Sequence, residues 1–367
     1  MDLRQALNEE QYAAVTAPDG PLLVLAAAGT GKTRTLVYRM AHLVGRGVAP
    51  DRILLLTFTN RASREMLDRA QTAIHSGVAG LWGGTFHHMA NRILRRHARA
   101  LGYELDFPIL DRDDARTLVG ESIRALELNT KEFPRKDVLQ ALFSRAANTE
   151  ASVEELAVER FGEHAVDPDA VVAVYNRYTQ RKRELGGMDF DDLLVNCLRL
   201  FTEHASVLDR YREKFLHVLV DEYQDTNPLQ AQIVDLVAGG YRNLLVVGDD
   251  FQSIYGWRGA DFRNIMSFPE RYPDAGVFKL ETNYRSVPEV LEVANACIAG
   301  NPQQFQKALR PTRETYERPR LARLRDGAEQ ARYVVELSPS WNAAAIAVPT
   351  SRCCTAPIFT PWNCSSS

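Results

Sequence analysis

One segment constrains this chain more than any other: PLLVLAAAGTGKTRTLVYRMAHLV, residues 21–44. An apolar run reads as a buried strand, turns through a glycine loop, and passes into a helical pattern. Within it, AAAGTGKT at 26–33 matches the phosphate-loop pattern GxxxxGK[ST], with Ala26 at the first glycine. Gly29 and Gly31 permit the tight turn in which successive backbone N–H groups face a polyphosphate. Lys32 would reach the β- and γ-phosphates, and Thr33 would offer its hydroxyl to Mg²⁺. The helix that follows adds its positive N-terminal end. A plain glycine turn is the alternative, and strand, loop, lysine and helix in this order weigh against it.

The rhythm continues. ILLLTFT reads as a second strand and NRASREMLDRA as a helix, which together argue for a parallel α/β sheet. From about residue 88 to 190 the pattern is helical throughout. DDARTLVGESIRAL places Ala115, Leu118, Val119, Ile123 and Leu126 on one face. Ser152 with Glu155 fits a capping box, and Asp167–Pro168 fits a helix start. The sheet resumes at FLHVLVDEYQ and NLLVVGDD, with the helix LQAQIVDLVAG between them. After VFKLETNYRS a further helix opens what reads as another domain. The expected division is therefore a phosphate-loop α/β domain at 1–100 and 188–279, a helical insertion at 101–187, the beginning of a second α/β domain at 280–337, and an anomalous tail at 338–367.

The net charge of −3 argues against a generally basic nucleic-acid binder but leaves room for a local groove. No charged-then-apolar leader and no apolar run near ~18 residues is present, so neither secretion nor membrane spanning is expected. The cysteines Cys197, Cys297, Cys353, Cys354 and Cys364 show no metal spacing, and a reduced, cytoplasmic setting is the expectation. His87 and His88 lack a third ligand nearby, so no metal is assigned to them.

Two later strand ends complete the chemistry. HVLVDEYQD, 217–225, brings Asp221 to hold Mg²⁺ and Glu222 to orient and deprotonate an attacking water. VVGDDFQSIYGWRGAD, 246–261, brings Gln252 within reach of a γ-phosphate. Beyond it Tyr255 and Trp257 either stack nucleic-acid bases or pack as interdomain core, and Arg258 can pair with a phosphodiester.

These segments, in this order, resemble the superfamily 1A DNA helicases of the UvrD, Rep and PcrA group. LNEEQ resembles the glutamine motif and AAAGTGKT motif I; TFTNRASREM resembles motif Ia and GGTFHHMANRILRRH motif Ib. DEYQDTN, VVGDDFQSIYGWRGAD and LETNYRS match motifs II, III and IV, with Tyr223 where phenylalanine is commoner. Ala27 and Arg61 are milder departures from a frequent glycine and lysine.

The resemblance implies a RecA-like phosphate-loop sheet with an inserted all-helical subdomain and the start of a second RecA-like domain. It implies ATP and Mg²⁺ as cofactors, single-stranded DNA and its junctions with duplex as partners, and 3′-to-5′ translocation and unwinding. Residues 26–34 (Ala26, Ala27, Ala28, Gly29, Thr30, Gly31, Lys32, Thr33 and Arg34) should surround the nucleotide. Gln11 should read the adenine edge, Tyr284 should stack on it, and Arg285 should act as an arginine finger. Lys32, Glu222, Gln252 and Arg285 are the expected catalytic groups; Thr33 and Asp221 are the expected metal ligands. Phe58, Asn60, Thr85 and His87, with Tyr255, Trp257 and Arg258, fall where the family touches DNA. Phe58 equally fits buried packing. Arg92, Arg95, Arg96 and Arg99 either follow a DNA backbone or form a solvated face. Asp189, Asp191 and Asp192 in MDFDDLL suit a structural role.

The family continues into motifs V and VI, which are absent here. Up to EQARYVVEL the text still resembles it; the tail then has one charged residue, Arg352, and neither helical nor strand periodicity. Codons permitted for SRCCTAPIFTPWNCS, read one frame over, can spell AVLYRTNLHSVELLE, which suits the strand and helix the family places there. An out-of-frame tail on an impaired motor fragment is the expectation, with a natural but unusual terminus as the alternative for the tail. A nucleotide- and DNA-binding module without unwinding, and a RecB-like recombination subunit, are the alternatives. A nucleoside kinase would lack the aromatic loop.

Overall fold

β1 (Leu22–Ala26) is buried along its whole length, and so are β2 (Ile53–Thr57), β4 (His217–Val220) and β5 (Leu244–Gly248). Aliphatic runs of this kind can only be satisfied by a sheet covered on both faces. The computed structural model describes residues 2–74, 77, 79–129, 132–162, 165–256 and 259–343, with side chains to 336. With β3 (Trp82–Thr85) and β6 (Gly276–Leu280) these strands form a six-stranded sheet in the order β3-β2-β4-β5-β1-β6, each adjacent pair parallel.

Alternate side chains feed two cores. Leu23, Leu25, Leu54, Leu56, Val218, Val220 and Val246 face one, with the helices Phe86–His97, Phe190–Glu203 and Pro228–Ala238. Leu22, Val24, Leu55, Leu219, Leu245 and Val247 face the other, with Lys32–Gly45 and Asn60–Ala73. Because every strand runs the same way, the ends of β1, β4 and β5 open onto one edge of the sheet. That edge is where open parallel sheets build their binding sites.

A third core belongs to the helices Arg112–Ala125, Lys136–Asn148, Val153–Phe161 and Pro168–Glu184. Ala115, Leu118, Val119 and Ile123 face it as their periodicity predicts, but Leu126 caps its helix with φ −94° and ψ 8° and stands 37% exposed. The Ser152–Glu155 capping box and the Asp167–Pro168 start are both present. The Phe86–His97 helix, although part of the long helical stretch, packs in the sheet's own core.

Where the bundle returns to the sheet, Lys182 Nζ lies 2.5 Å from Asp189 Oδ2 and 2.6 Å from Asp192 Oδ2, and Tyr178 donates to Asp189 at 2.6 Å. Asp189 also caps the Phe190–Glu203 helix. A buried ammonium needs that much compensation. After β6, the two-residue strands β7 (Thr282–Asn283) and β8 (Arg310–Pro311) pair in parallel.

Residues 317–367 form a second unit, distinct from 1–316. Its described part carries the helix Gly327–Ala343, opened by an Arg325–Glu329 pair at 3.1 Å. The backbone of 338–343 continues this helix although the tail shows no helical periodicity; extending a formed helix costs far less than starting one. Residues 344–367, with Cys353, Cys354 and Cys364, lie outside the described residues.

Candidate nucleotide site and an adjoining aromatic cavity

The loop leaving β1 is shaped by two glycines, Gly29 at φ 81° and Gly31 at φ 95°. A Cβ on Gly29 would stand 2.6 Å from Arg285 Cβ, and one on Gly31 would stand 2.5 Å from Gln11 Nε2. Four successive carbonyls of the loop are held from the protein side. Ala27 accepts from Thr30 Oγ1 at 2.8 Å, Ala28 from Asn283 Nδ2 at 2.7 Å, Gly29 from Tyr284 N–H at 2.9 Å, and Thr30 from Gln11 Nε2 at 2.9 Å. With its carbonyls so engaged, the loop has N–H groups to offer, and the Lys32–Gly45 helix begins directly behind it.

This loop lines a cavity of about 780 Å³ shared with Asn8, Gln11, Arg34, Glu222, Gln252, Tyr284 and Arg285. At its base Lys32 Nζ lies 2.6 Å from Glu222 Oε2, and Gln224 Nε2 donates to the same oxygen at 3.0 Å. Glu222 holds a left-handed backbone at φ 49°, ψ 47°, a strained conformation that those side-chain bonds help fix. Next to it Asp221 is 5% exposed, and its Oδ1 has no hydrogen-bond partner. Burial, reinforced by the Glu222 charge, pushes the Asp221 carboxyl up to about 7, against the pull of Lys32. Burial and Glu222 likewise push Asp225 up to about 6. This excess of negative charge and an orphaned buried oxygen fit a cation. Among the described residues no three acidic, histidine or cysteine side chains converge on one point, so a hard cation here would take few protein ligands and complete its shell with oxygen from water and substrate.

The expected nucleotide residues do not all reach the cavity. Ala26 ends β1 with its side chain in the core, and Thr30 is buried with its hydroxyl turned back on Ala27. Gln11 lines the wall but is 3% exposed; its Oε1 accepts from Asn8 N–H and its Nε2 is given to Thr30. Arg34 donates to the Ala6 carbonyl at 2.5 Å. Tyr284 is 45% exposed, its hydroxyl accepting from Asn8 Nδ2 at 2.8 Å. Asn8, Arg69 and Asn283 are placed at the site without having been singled out; Asn8 lay within LNEEQ and Asn283 within LETNYRS, but their partners are remote in sequence.

A second cavity, of about 330 Å³, shares Thr33, Glu222 and Gln252 with the first. Its far wall is Phe58 stacked on Tyr255, with ring centres 5.5 Å apart. Phe58 also borders a third cavity with Thr85, His87, Asn148 and Asp191. There burial lowers the His87 pKa, and its ring meets Phe190 edge-on at 6.2 Å. Phe190 is 51% exposed, an unexpected position for an apolar ring in a helix's first turn, and sequence reading passed over it for its aspartate neighbours. Asn60 is exposed at the start of its helix and lines none of these three cavities. Trp257 and Arg258 lie outside the described residues. Arg92 covers Trp82 at 3.7 Å and Arg95 covers Phe107 at 3.9 Å, so these two are engaged in packing, while Arg96 is exposed and Arg99 pairs with Glu104 at 3.3 Å on the solvated surface.

A parallel sheet with this loop at the end of β1 and paired carboxylates at the end of β4, with β5 between them, defines a phosphate-loop protein of the RecA-like class. The model of the UvrD/REP helicase N-terminal domain matches residues 7–273, and the chain belongs to that family. Its relatives include the ATP-dependent DNA helicase PcrA of Staphylococcus aureus (strain Mu50), 39% identical over 306 residues, 83% of this chain and 41% of the relative. The protein of the same name from Leuconostoc citreum is 42% identical over 309 residues, 84% of this chain and 41% of its own. That from Staphylococcus epidermidis (strain RP62A) is 38% identical over 331 residues, 90% and 45% respectively. The chain therefore spans less than half the length of these relatives.

Proposed function

We propose that this chain is the nucleotide- and strand-gripping part of an ATP-dependent DNA helicase that moves 3′ to 5′ along single-stranded DNA, working in the cytoplasm on the nucleoid. The observation that carries this reading is the shared wall: Thr33, Glu222 and Gln252 border both the cavity behind the phosphate loop and the cavity closed by Phe58 and Tyr255.

In the proposed reaction Lys32 exchanges its carboxylate partner for the β- and γ-phosphates. Glu222, released, orients a water and takes its proton. Gln252 donates to the terminal phosphate, and Arg285 stabilises the charge that builds on the transferring group. Tyr284 offers its ring to the adenine, and Gln11 has one amide hydrogen left for the base edge. The Thr33 hydroxyl and the Asp221 carboxylate would hold Mg²⁺, which would supply charge to offset that of the phosphates. On the other side of the wall, Phe58, Tyr255 and Phe190 present rings to bases, with Thr85 and His87 alongside. The exposed Asn60 stands at the helix start beside Phe58. Trp257 and Arg258, outside the described residues, are proposed on sequence alone as further DNA-binding groups.

The division into an ATP-binding domain, a helical insertion and the opening of a second motor domain belongs to the same reading. The distinct core of the four inserted helices supports it. Binding of nucleotide and single-stranded DNA without unwinding is the second reading. ATP hydrolysis by the 367-residue chain, with and without single-stranded DNA, separates them. Strong stimulation by DNA supports the motor; binding of both ligands without stimulation supports the binding module. Absence of nucleotide binding overturns both.

A further inference from the structure

The first two carboxylates after β5 meet a lysine that lies in none of the recognised motifs. Lys307 Nζ is 2.6 Å from Asp249 Oδ1 and 2.5 Å from Asp250 Oδ1, and its side chain has 0% exposure. Its ammonium sits 3.9 Å from the centre of the Phe251 ring, and the Phe305 N–H donates to Asp250 Oδ2 at 2.8 Å. A cation sealed in this way is tolerated only with its charge matched, and two carboxylates match it.

The arrangement continues to the nucleotide cavity. The remaining oxygen of Asp249, Oδ2, accepts from Gln252 Nε2 at 2.5 Å. The Asp249 N–H donates to Gln224 Oε1 at 2.9 Å, and Gln224 donates in turn to Glu222, the partner of Lys32. Lys307 is thus linked to Gln252 through Asp249, and to Lys32 through Asp249, Gln224 and Glu222, although it is far from both in sequence.

We propose that Lys307 is a positioning residue that sets how firmly Asp249 holds the Gln252 amide. By drawing charge from Asp249, Lys307 weakens that hold, so a terminal phosphate can win Gln252 over. Without the lysine, Asp249 keeps its full charge for Gln252, and the site distinguishes a triphosphate from a diphosphate less well. The same contact ties the backbone at 305–307 to the nucleotide state. This inference rests on the proposed nucleotide site.

Lys307→Met alone would leave two buried carboxylates unmatched and risks unfolding. Lys307→Met/Asp250→Asn keeps the net charge of the cluster and leaves Asp249 in place. Affinities are measured with Mg²⁺ for fluorescent N-methylanthraniloyl ADP and for the matching β,γ-imido triphosphate, alongside melting temperature. The triphosphate-to-diphosphate preference should fall about three- to tenfold, the scale of one hydrogen bond, with diphosphate affinity little changed. Lys307→Arg should recover most of it. In a Gln252→Ala background the loss of Lys307 should have no further effect on the preference. An unchanged preference, a joint fall of both affinities with the melting temperature, or an equal effect without Gln252 overturns the inference. A wild-type chain that binds neither nucleotide, or a Lys32→Ala chain that binds as well as wild type, overturns the nucleotide site first and the inference with it.

Discussion

Lys32 Nζ and Glu222 Oε2 are 2.6 Å apart at the base of the nucleotide cavity, joining two strand ends that lie 190 positions apart in sequence. In the proposed reaction each group is the other's placeholder: the ammonium stands where Glu222 would hold its water, and the carboxylate stands where Lys32 would hold a phosphate. Removing either member therefore has a different signature. Lys32→Ala should weaken triphosphate binding about ten- to hundredfold, as expected for hydrogen bonds to a charged group. Glu222→Gln should bind within a few-fold of wild type while hydrolysis falls about 10²- to 10⁴-fold. Fluorescent-nucleotide titration and phosphate release distinguish the two, and equal binding losses in both variants would refute the division of roles.

Gly31 makes a steric prediction. A methyl group there meets Gln11 Nε2 at 2.5 Å on a backbone with φ 95°. Gly31→Ala should cost about 1–2 kcal/mol in stability from the backbone alone, with a larger proportional loss in nucleotide affinity. Urea unfolding gives the first quantity and nucleotide titration the second.

The aromatic pair predicts a loss confined to DNA. Tyr255→Ala and Phe58→Ala should each weaken single-stranded DNA binding by about 1–3 kcal/mol per stacked base. Anisotropy of a labelled oligonucleotide measures this, and nucleotide affinity in the absence of DNA serves as the control. Unaltered DNA affinity in both variants would return the pair to a packing role.

Tyr223 replaces the phenylalanine commoner in its motif, and its hydroxyl accepts from Arg271 Nη2 at 2.8 Å. The same arginine pairs with Asp235 and donates to the Asn264 carbonyl at 3.1 Å. Because those partners remain, Tyr223→Phe should cost only about 0.5–1.5 kcal/mol. Chemical denaturation is sufficient to detect it.

His217 opens β4 in a buried position, where burial lowers its pKa to about 4, with Arg39 and Arg46 adding to the effect and Asp19 opposing it. A folded value below the ordinary 6.5 means that the unfolded chain takes the proton first. The contribution is complete above pH 6.5 and is lost as pH falls towards 4. Urea midpoints for wild type and His217→Phe across this window should show a steeper decline in wild type.

What could be read from the sequence was local. The alternation of aliphatic runs with helical periods gives the parallel sheet, and the offset between glycines and lysine gives the loop after β1. Capping at Ser152 and Asp167 follows from neighbours within three residues. β3 was not legible as a strand, because WGGT has two glycines and no alternation. Asn283, Asn8 and Lys307 were missed for a different reason. Each acts through a partner that only the fold brings near: Ala28 for Asn283, Tyr284 for Asn8, and Asp249 for Lys307. Arg92 and Arg95 show the converse, where helical spacing suggested a stripe facing either DNA or solvent but the rings of Trp82 and Phe107 lie against the guanidinium groups.

The wall made by Thr33, Glu222 and Gln252 has a thermodynamic consequence. Two cavities that share side chains give their occupants a route by which to influence each other. If a strand lying over Phe58 and Tyr255 changes nucleotide affinity by some factor, the nucleotide must change the strand's affinity by the same factor. Either ligand can then serve as the gauge for the other, and the coupling can be obtained from binding alone, without any turnover.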